Sequence, residues 1–219
     1  MSRKVVRLTV DHLAQLDEHL RTCLRWQLDA VAISRVEAGQ EAAEVEAWLS
    51  GVLREWGSCG RAVLVDGVPV GAAVYAPPWY LPGLAALPTA PPSQDAVVLA
   101  KLYVAEAFRG QGLGRMLIQG MARDLVLRET VAVEAFGRNR PQPGSCLLPV
   151  EFLGAVGFKT QRAHRTVPRM RMELRTTRTW KSEVELAVER LYGAVRPALS
   201  PQRLKPQAKG SLRSGPRAP

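Results

Sequence analysis

The apolar positions of this chain follow two periods, and together they predict a mixed α/β domain. Helical spacing, with apolar residues three and four apart, is clearest at residues 41–56 and 113–128. Short apolar or alternating runs are typical of strands. In chain order, the pattern predicts a strand at 4–10, helices at 11–26 and 41–56, a hairpin at 61–77 that turns at Asp66-Gly67, a strand at 96–105, a helix at 113–128, a strand at 131–136, a short helix at 147–158, an antiparallel strand pair around Pro168, and a terminal helix at 179–192.

Two stretches interrupt this pattern. Residues 77–96 contain six prolines and cannot form a regular element, and long loops of this kind tend to be lids, binding loops or disordered. From residue 196 the chain is mostly Pro, Gly, Ser, Lys, Arg and Ala, which is typical of disorder. We therefore predict one domain over residues 1–195 and a disordered basic tail over residues 196–219.

The net charge of +10 is unevenly distributed. Residues 1–158 carry a net charge of −1, whereas residues 159–181 carry +7 and residues 196–219 carry +6. The basic stretch 159–181 is interpreted as a solvated sheet edge protected by charge, with binding of an acidic partner as the alternative. The tail has no aromatic residue for base stacking, so sequence-specific nucleic-acid recognition is not expected.

Three glycines, Gly110, Gly112 and Gly114, lie between the strand 96–105 and the helix 113–128. A strand that leads through a glycine turn into a helix offers free N–H groups and the positive end of the helix dipole, which suits a phosphate. A P-loop needs Lys-Ser/Thr after its last glycine, but here Arg115-Met116 follow. A dinucleotide fingerprint is G-x-G-x-x-G, whereas this segment reads G-x-G-x-G.

The segment from Arg109 to Gly114, RGQGLG, resembles the R/Q-x-x-G-x-G/A coenzyme A signature of the GNAT superfamily of N-acetyltransferases. Residues 151–158, EFLGAVGF, resemble the second family signature, a short helix that ends in Gly157-Phe158. The resemblance covers roughly residues 4–175. It implies a mixed, mostly antiparallel central sheet, flanked by helices and splayed between its fourth and fifth strands.

The resemblance also implies acetyl-CoA as the acetyl donor. The backbone at the strand end would pair with the pantetheine arm and polarise the thioester carbonyl, and the glycine segment would hold the pyrophosphate. Arg109 or Arg115 would add charge near the phosphates, and for Arg115 a solvated arginine at the helix start is an equal alternative. The implied cofactor-binding residues are Leu102, Tyr103, Val104, Arg109, Gly110, Gln111, Gly112, Leu113, Gly114 and Arg115.

Two residues are candidates for catalysis. The tyrosine with which many family members protonate the leaving thiolate falls at Leu153, which cannot donate a proton. Cys146 is a hypothetical acid or transient acyl carrier, although a small packed residue at a helix start is the favoured interpretation. Glu134 is a candidate general base, because burial would raise its pKa, with an outward side chain or an ion pair to Arg138 or Arg140 as the favoured alternative.

The cysteines and histidines give little sign of a metal site. Cys23, Cys59 and Cys146 are odd in number and far apart, so we expect reduced cysteines. His12 and His19 share the predicted helix 11–26 without a partner cluster, so no metal is expected. No apolar run approaches the roughly 20 residues of a membrane span, and the N-terminus becomes polar too soon for a signal peptide, so the expected location is cytoplasmic.

The sequence therefore predicts direct acetyl transfer, within a ternary complex, to the amine of a small molecule or peptide. A non-catalytic acyl-CoA-binding regulatory module is the alternative, since neither the usual tyrosine nor a decisive base is present. A nucleic-acid-associated protein that uses its tail is a third hypothesis. The identity of the acceptor, the acyl-chain preference and the formation of a homodimer stay open.

Overall fold

A computed structural model of the chain describes residues 1–140 and 145–174. In this part of the chain the elements are β1 (Arg3–Arg7), α1 (Val10–Ala14), α2 (Glu18–Thr22), α3 (Ala30–Ile33), α4 (Glu41–Trp56), β2 (Gly60–Val65), β3 (Val68–Ala76), β4 (Ala96–Val104), α5 (Leu113–Leu127), β5 (Ala132–Arg138), β6 (Leu148–Pro149), α6 (Val150–Ala155), β7 (Lys159–Arg162) and β8 (Arg169–Glu173). The predicted helix at 179–192 and the predicted domain boundary at 195 lie outside the described residues.

The strands form one mixed sheet in the order β1-β2-β3-β4-β5-β8-β7, with β6 added to β5. Neighbours are antiparallel except for the β4–β5 and β5–β6 pairs, which are parallel. The β2–β3 hairpin turns at Asp66 and Gly67, whose φ values of 49° and 87° lie in the left-handed region that tight hairpin turns use. The predicted fold class, a mostly antiparallel sheet flanked by helices, is confirmed.

The sheet opens between β4 and β5. Their pairing runs from Ala96↔Ala132 to Leu99↔Ala135 and stops there, although β4 continues to Val104. Beyond this point β5 pairs instead with β6, at Gly137↔Leu148. Because β8 occupies the other edge of β5 as far as Gly137, β6 lies on the β5 side of the opening. The predicted splay between the fourth and fifth strands is therefore present.

The two faces of the sheet bury separate apolar clusters. The α2 face packs α1, α2 and α4 against the sheet around Leu20, Leu49 and Trp26. The α5 face packs α5 and α6 against it, with Leu117 and Leu153 both fully buried. Residues at the end of β4 reach both faces, because successive side chains of a strand point in opposite directions.

The structure differs from the predicted elements at three places. The predicted helix 11–26 is two short helices, because Asp17 accepts a hydrogen bond from the His19 N–H and so begins α2 as a new helix. A short helix, α3, is added where Asp29 caps it. The predicted helix at 147–158 begins only at Val150, since the preceding two residues form β6.

The long loop after β3 is folded into two short 3-10 turns, Pro78–Tyr80 and Pro82–Ala86. Trp48 of α4 donates its indole N–H to the Tyr80 carbonyl at 2.7 Å, which fixes the start of the loop. Trp79 beside it is 72% exposed. Among the described residues, no helix has both the length and the apolar character that crossing a bilayer requires.

Candidate functional site

The glycine segment builds the N-terminus of α5 beside the opening of the sheet. Gly110 and Gly112 have φ values of 74° and 82°, a conformation that favours glycine, and an added Cβ at either would meet nothing within 4 Å. Gly112 is the N-cap and makes no side-chain hydrogen bond, so the N–H groups of residues 113–115 have no partner within the helix. This open helix end fits a phosphate group.

Leu113 and Gly114 serve the packing of the same segment. The Leu113 side chain is 1% exposed and belongs to the core of the α5 face, so only its backbone is available to a ligand. An added Cβ at Gly114 would lie 3.1 Å from the Phe152 ring, tighter than ordinary contact. Gly114 therefore lets α6 approach α5 closely.

Arginines surround the helix end, but two of them are also structural. Arg109 donates from Nε to the Val104 carbonyl at 3.0 Å, and so ties the segment to the end of β4. Arg115 donates to the Ala155 carbonyl at 2.9 Å, at the C-terminus of α6. Both side chains belong to exposed residues, so their positive charges stand close to the helix end.

Arg3 of β1 is a third positive charge here, and no pattern in the sequence indicated it. Its guanidinium donates to the Gln111 carbonyl at 3.1 Å and to Gln111 Oε1 at 3.0 Å. Only the folded structure reveals the contact, because α5 packs across β1 and β2 and brings the segment before it to the first strand. Gln111 also donates to the Ala107 carbonyl, so it braces the loop from both sides.

The end of β4 presents a free backbone edge to the opening. Leu102, Tyr103 and Val104 pair with Ala73, Ala72 and Gly71 of β3 on one edge. On the other edge, the ladder with β5 has already ended at Leu99. The backbone groups that face this edge, apart from the Val104 carbonyl that Arg109 holds, are therefore available for pairing with an extended group in the opening.

Beyond Arg115, a cleft of about 560 Å³ continues along the α5 face. Ile118 and Gln119 of α5 form one wall, and Gly157 lies opposite. Gly154 and Ala155 of α6 and Met172 of β8 also line the cleft.

Charged and polar side chains gather on the α2 face next to the end of β4. Lys101 is 4% exposed, and its Nζ donates to the Cys23 carbonyl at 2.6 Å and to the Leu20 carbonyl at 3.3 Å. Burial lowers the pKa of Lys101 to about 7. Burial, with the nearby Asp17 carboxylate, raises the pKa of the Tyr103 phenol, so Tyr103 stays protonated at neutral pH.

Glu134, the predicted base, is fully buried and held by several donors. Its carboxylate accepts hydrogen bonds from the N–H and hydroxyl of Ser93 at 3.0 and 2.6 Å. Arg169 and Arg171 form ion pairs with it at 3.3 and 3.4 Å. These contacts favour the ion-pair interpretation, but with Arg169 and Arg171 as partners. The role of Glu134 as a base stays a prediction.

The structure gives Cys146 partners that the sequence did not indicate. Its sulfur is joined to Cys23 in a disulfide, and it lies 3.4 Å from Nε2 of His19. The expectation of three reduced cysteines is therefore wrong for this pair, while Cys59 is free and buried. A disulfide sulfur has no proton to give, so the predicted role of Cys146 as an acid or acyl carrier requires the reduced thiol.

The histidine expectation is also corrected. His12 and His19 lie on separate helices, α1 and α2. His19 does have a partner cluster, since one ligand atom each from His19, Cys23 and Cys146 all lie within 4.8 Å of one another. Folding brings this cluster together across 123 residues of sequence, so no local pattern could have shown it.

Leu153 lies at the position of the tyrosine that many family members use as the acid, with Phe152 beside it, and neither side chain can donate a proton. Leu153 is fully buried in the α5 face, and Phe152 packs over Gly114. Among the described residues, Tyr103 is the tyrosine that belongs to the end of β4 itself, and its side chain packs on the opposite face.

Comparison with known proteins agrees with this geometry. A family model described as the acetyltransferase (GNAT) family matches residues 15–142. A solved acetyltransferase is 16% identical with a TM-score of 0.53, covering 78% of this chain and 99% of its own. An N-acetyltransferase from Staphylococcus aureus Mu50 is 13% identical with a TM-score of 0.50, covering 80% and 99%.

A third structure, PaiA N-acetyltransferase from Thermoplasma acidophilum in complex with coenzyme A, is 12% identical with a TM-score of 0.49, covering 79% of this chain and 99% of its own. At identities this low, the first two structures show a shared fold and no more. The comparison with curated proteins found no match.

Proposed function

Because the chain belongs to the acetyltransferase (GNAT) family, whose members move an acetyl group from acetyl-CoA to an amine, we propose that it performs this transfer directly, in a ternary complex, at the opening between β4 and β5. One observation carries the proposal. The open N-terminus of α5, shaped by Gly110 and Gly112, lies next to a strand end whose backbone edge is free.

The residues of the glycine segment fit the pyrophosphate of acetyl-CoA. The N–H groups of residues 113–115 would donate to it, and Arg3, Arg109 and Arg115 would supply positive charge around it. When bound, acetyl-CoA supplies the acetyl group as an activated thioester. The backbone of Leu102, Tyr103 and Val104 would align the pantetheine arm, and an amide there would polarise the carbonyl oxygen.

The amine would approach from the α2 face, where the polar side chains are concentrated. Tyr103 offers a phenol that stays protonated at neutral pH, a property required of a group that donates a proton to a leaving thiolate. Glu134 is proposed as the base only through the sequence pattern, and its three hydrogen-bond donors and its ion pair with Arg169 indicate a structural role.

Further parts of the proposal depend on the sequence alone. We propose a cytoplasmic enzyme that acts on a small-molecule or peptide amine and does not read nucleic-acid sequence, with a disordered basic tail over residues 196–219. We propose that the acetyl transfer itself uses no metal ion. A homodimer is compatible with the proposal but is not required by it.

Titration calorimetry of acetyl-CoA into the wild type and Gly112→Trp tests the cradle. We expect the wild type to bind and Gly112→Trp to lose binding, because the indole would fill the open space at the helix end. Gly39→Trp is the matched control, since Gly39 also has a positive φ of 87° with nothing near its added Cβ. Acetyl-pantetheine, which has no pyrophosphate, should bind more weakly than acetyl-CoA and should discriminate less between the variants.

Activity is then followed as thiol release from acetyl-CoA with a panel of amines. Amine-dependent release supports the transferase, whereas tight binding without release by any amine supports the non-catalytic module. Equal affinities of wild type and Gly112→Trp would contradict the proposed cradle. A folded wild type that gives neither heat nor a thermal shift with acetyl-CoA would contradict the proposed function itself.

A further inference from the structure

Three side chains with strong affinity for soft metal ions meet on the α2 face, outside the proposed cofactor cradle. His19 and Cys23 are four residues apart, at the second residue and the C-cap of α2, so both lie on one side of the helix. Cys146 reaches them from the segment that leads into β6. The histidine nitrogen and the two sulfurs all lie within 4.8 Å of one another.

The spacing of these atoms fits a tetrahedral ion. With Zn–S near 2.3 Å and Zn–N near 2.0 Å, two ligands at the tetrahedral angle lie about 3.5 Å apart for nitrogen and sulfur, and about 3.8 Å apart for two sulfurs. Nε2 of His19 already lies 3.4 Å from the Cys146 sulfur. Little movement of this pair would be needed to place an ion between them.

The backbone spacing of the two cysteines also suits a bridging ion. Their Cα atoms are 7.7 Å apart, beyond the roughly 4.4–6.8 Å that disulfides usually span. A bridging ion holds the two sulfurs further apart than a direct bond does, and therefore accommodates a wider Cα separation.

We propose that His19, Cys23 and Cys146, with both cysteines reduced, bind one Zn²⁺ or a similarly soft divalent cation. Each thiol releases one proton to solvent as its thiolate coordinates, and the imidazole binds as the neutral base. The three protein ligands leave a fourth position for water or an exogenous ligand. The disulfide and the metal site exclude each other, because both use the same two sulfurs.

Surrounding contacts hold the ligands in place on both sides. Lys101 of β4 donates to the Cys23 carbonyl at 2.6 Å and so fixes the end of α2 against the sheet. The Asp17 side chain accepts from the His19 N–H and fixes the start of the same helix. On the other side, Leu147 is buried and its N–H donates to the Ser145 hydroxyl.

The ion would join two parts of the molecule that border the opening. α2 contacts β4 through Lys101, while Cys146 belongs to the segment that enters β6 on the β5 side. A metal at this position therefore clamps the two sides of the opening on the α2 face, where the proposed amine would enter.

Cobalt titration of the reduced full chain tests the site without depending on activity. The protein is stripped with a chelator, reduced with a phosphine until three thiols per chain react under denaturing conditions, refolded or exchanged anaerobically, and titrated with Co²⁺. We expect one Co²⁺ per chain with the sulfur-to-cobalt charge-transfer band and the visible bands of a tetrahedral ion, and displacement by one equivalent of Zn²⁺.

Variants assign the ligands. Cys146→Ser and His19→Asn should each weaken Zn²⁺ binding by more than about 100-fold, since loss of an outer-shell partner alone costs about 10- to 100-fold. His12→Asn, on the other short helix, should bind as the wild type does. Circular dichroism confirms that each protein is folded.

Two results would overturn the proposal. A folded, fully reduced wild type without the charge-transfer band has no thiolate site for the ion. A band that persists unchanged in Cys146→Ser and His19→Asn marks an adventitious ion only. Neither result bears on acetyl-CoA binding, which the Gly112→Trp titration measures independently.

Discussion

The two sides of the sheet opening are built in different ways. The side towards α5 is made from one continuous stretch, the end of β4 and residues 109–115, and offers mainly backbone groups to a ligand. The side towards α2 is made from side chains that come from distant segments, among them His19, Lys101 and Cys146. Lys101 is buried and Cys146 half-buried, whereas His19 is exposed.

This difference indicates at which positions amino-acid substitutions should leave the function intact. Backbone donors at a helix end survive most substitutions that keep the glycine conformations, because no side chain supplies them. A buried side chain that holds charge has partners that are left unsatisfied when it is removed. We therefore expect single substitutions to have large effects on the α2 face and small effects around the cradle, except at the glycines.

Of the substitutions considered, Glu134→Gln should cause the largest loss of stability. Neutralising this fully buried carboxylate leaves Arg169 and Arg171 without their shared partner, and breaking such a buried pair costs about 3–5 kcal/mol. Urea unfolding should show this loss, while the pH profile of kcat/KM for the folded enzyme keeps its shape. An acidic limb that disappears from that profile, with a rate loss of 100-fold or more, would instead support the base prediction.

Asp95→Asn is the matched control for Glu134→Gln. Asp95 also pairs with Arg171, at 2.8 Å, but its side chain is 48% exposed. We expect less than about 1 kcal/mol of destabilisation. Equal losses of unfolding free energy in the two variants would contradict the expectation that a buried charge is costlier to remove than an exposed one.

Lys101→Met should change the pH dependence of the free energy of unfolding, because it removes a buried amine. Burial lowers the pKa of Lys101 from its ordinary value of 10.5 to about 7 in the folded protein. Between these values the unfolded chain binds the extra proton, so the stability of the wild type rises with pH. From pH 7 to pH 9 the wild type should gain about 2 kcal/mol relative to Lys101→Met in urea unfolding, with both proteins in the same redox state.

Lys4→Met provides the control for this titration, since Lys4 is exposed on β1. Its unfolding free energy should track that of the wild type across the same pH range. A difference between wild type and Lys101→Met that stays flat from pH 7 to pH 9 would mean that Lys101 keeps an ordinary pKa despite its burial.

Arg3→Ala should have the smallest effect, a modest loss of acetyl-CoA affinity. Its guanidinium braces Gln111 and adds charge near the helix end, but it is exposed and screened by salt. We expect acetyl-CoA affinity to fall about two- to fivefold at low salt and less at high salt, with Lys4→Ala unchanged. A loss as large as that of Gly112→Trp would show that side-chain charge, rather than backbone donors, dominates the cradle.

The sequence predicted the elements whose signals are local. The helix 41–56 follows from its apolar stripe, the hairpin from Asp66-Gly67, and the start of α5 from the glycine segment, and the structure has all three. The break between α1 and α2 was missed because the apolar spacing continues through it, while the Asp17 cap that divides the helices acts through a single hydrogen bond.

What the sequence could not show depends on contacts between distant segments. The bond from Arg3 to Gln111 spans 108 residues, and the pairing of Cys23 with Cys146 spans 123. β6 is two residues long and has no periodicity to detect. The sequence singled out Glu134 as a candidate base, but its burial and the arginines that pair with it became visible only with the sheet and the register of β8.

The position of β5 in the sheet has a consequence for biosynthesis. This strand, buried from Ala132 to Gly137, pairs with β4 on one edge and with β8 on the other. In a chain that ends between β5 and β8, one edge of an apolar strand therefore has no partner. Such an edge is a template for pairing with other chains. A ribosome that stalls between residues 138 and 169 should therefore release an aggregating product rather than a smaller working enzyme.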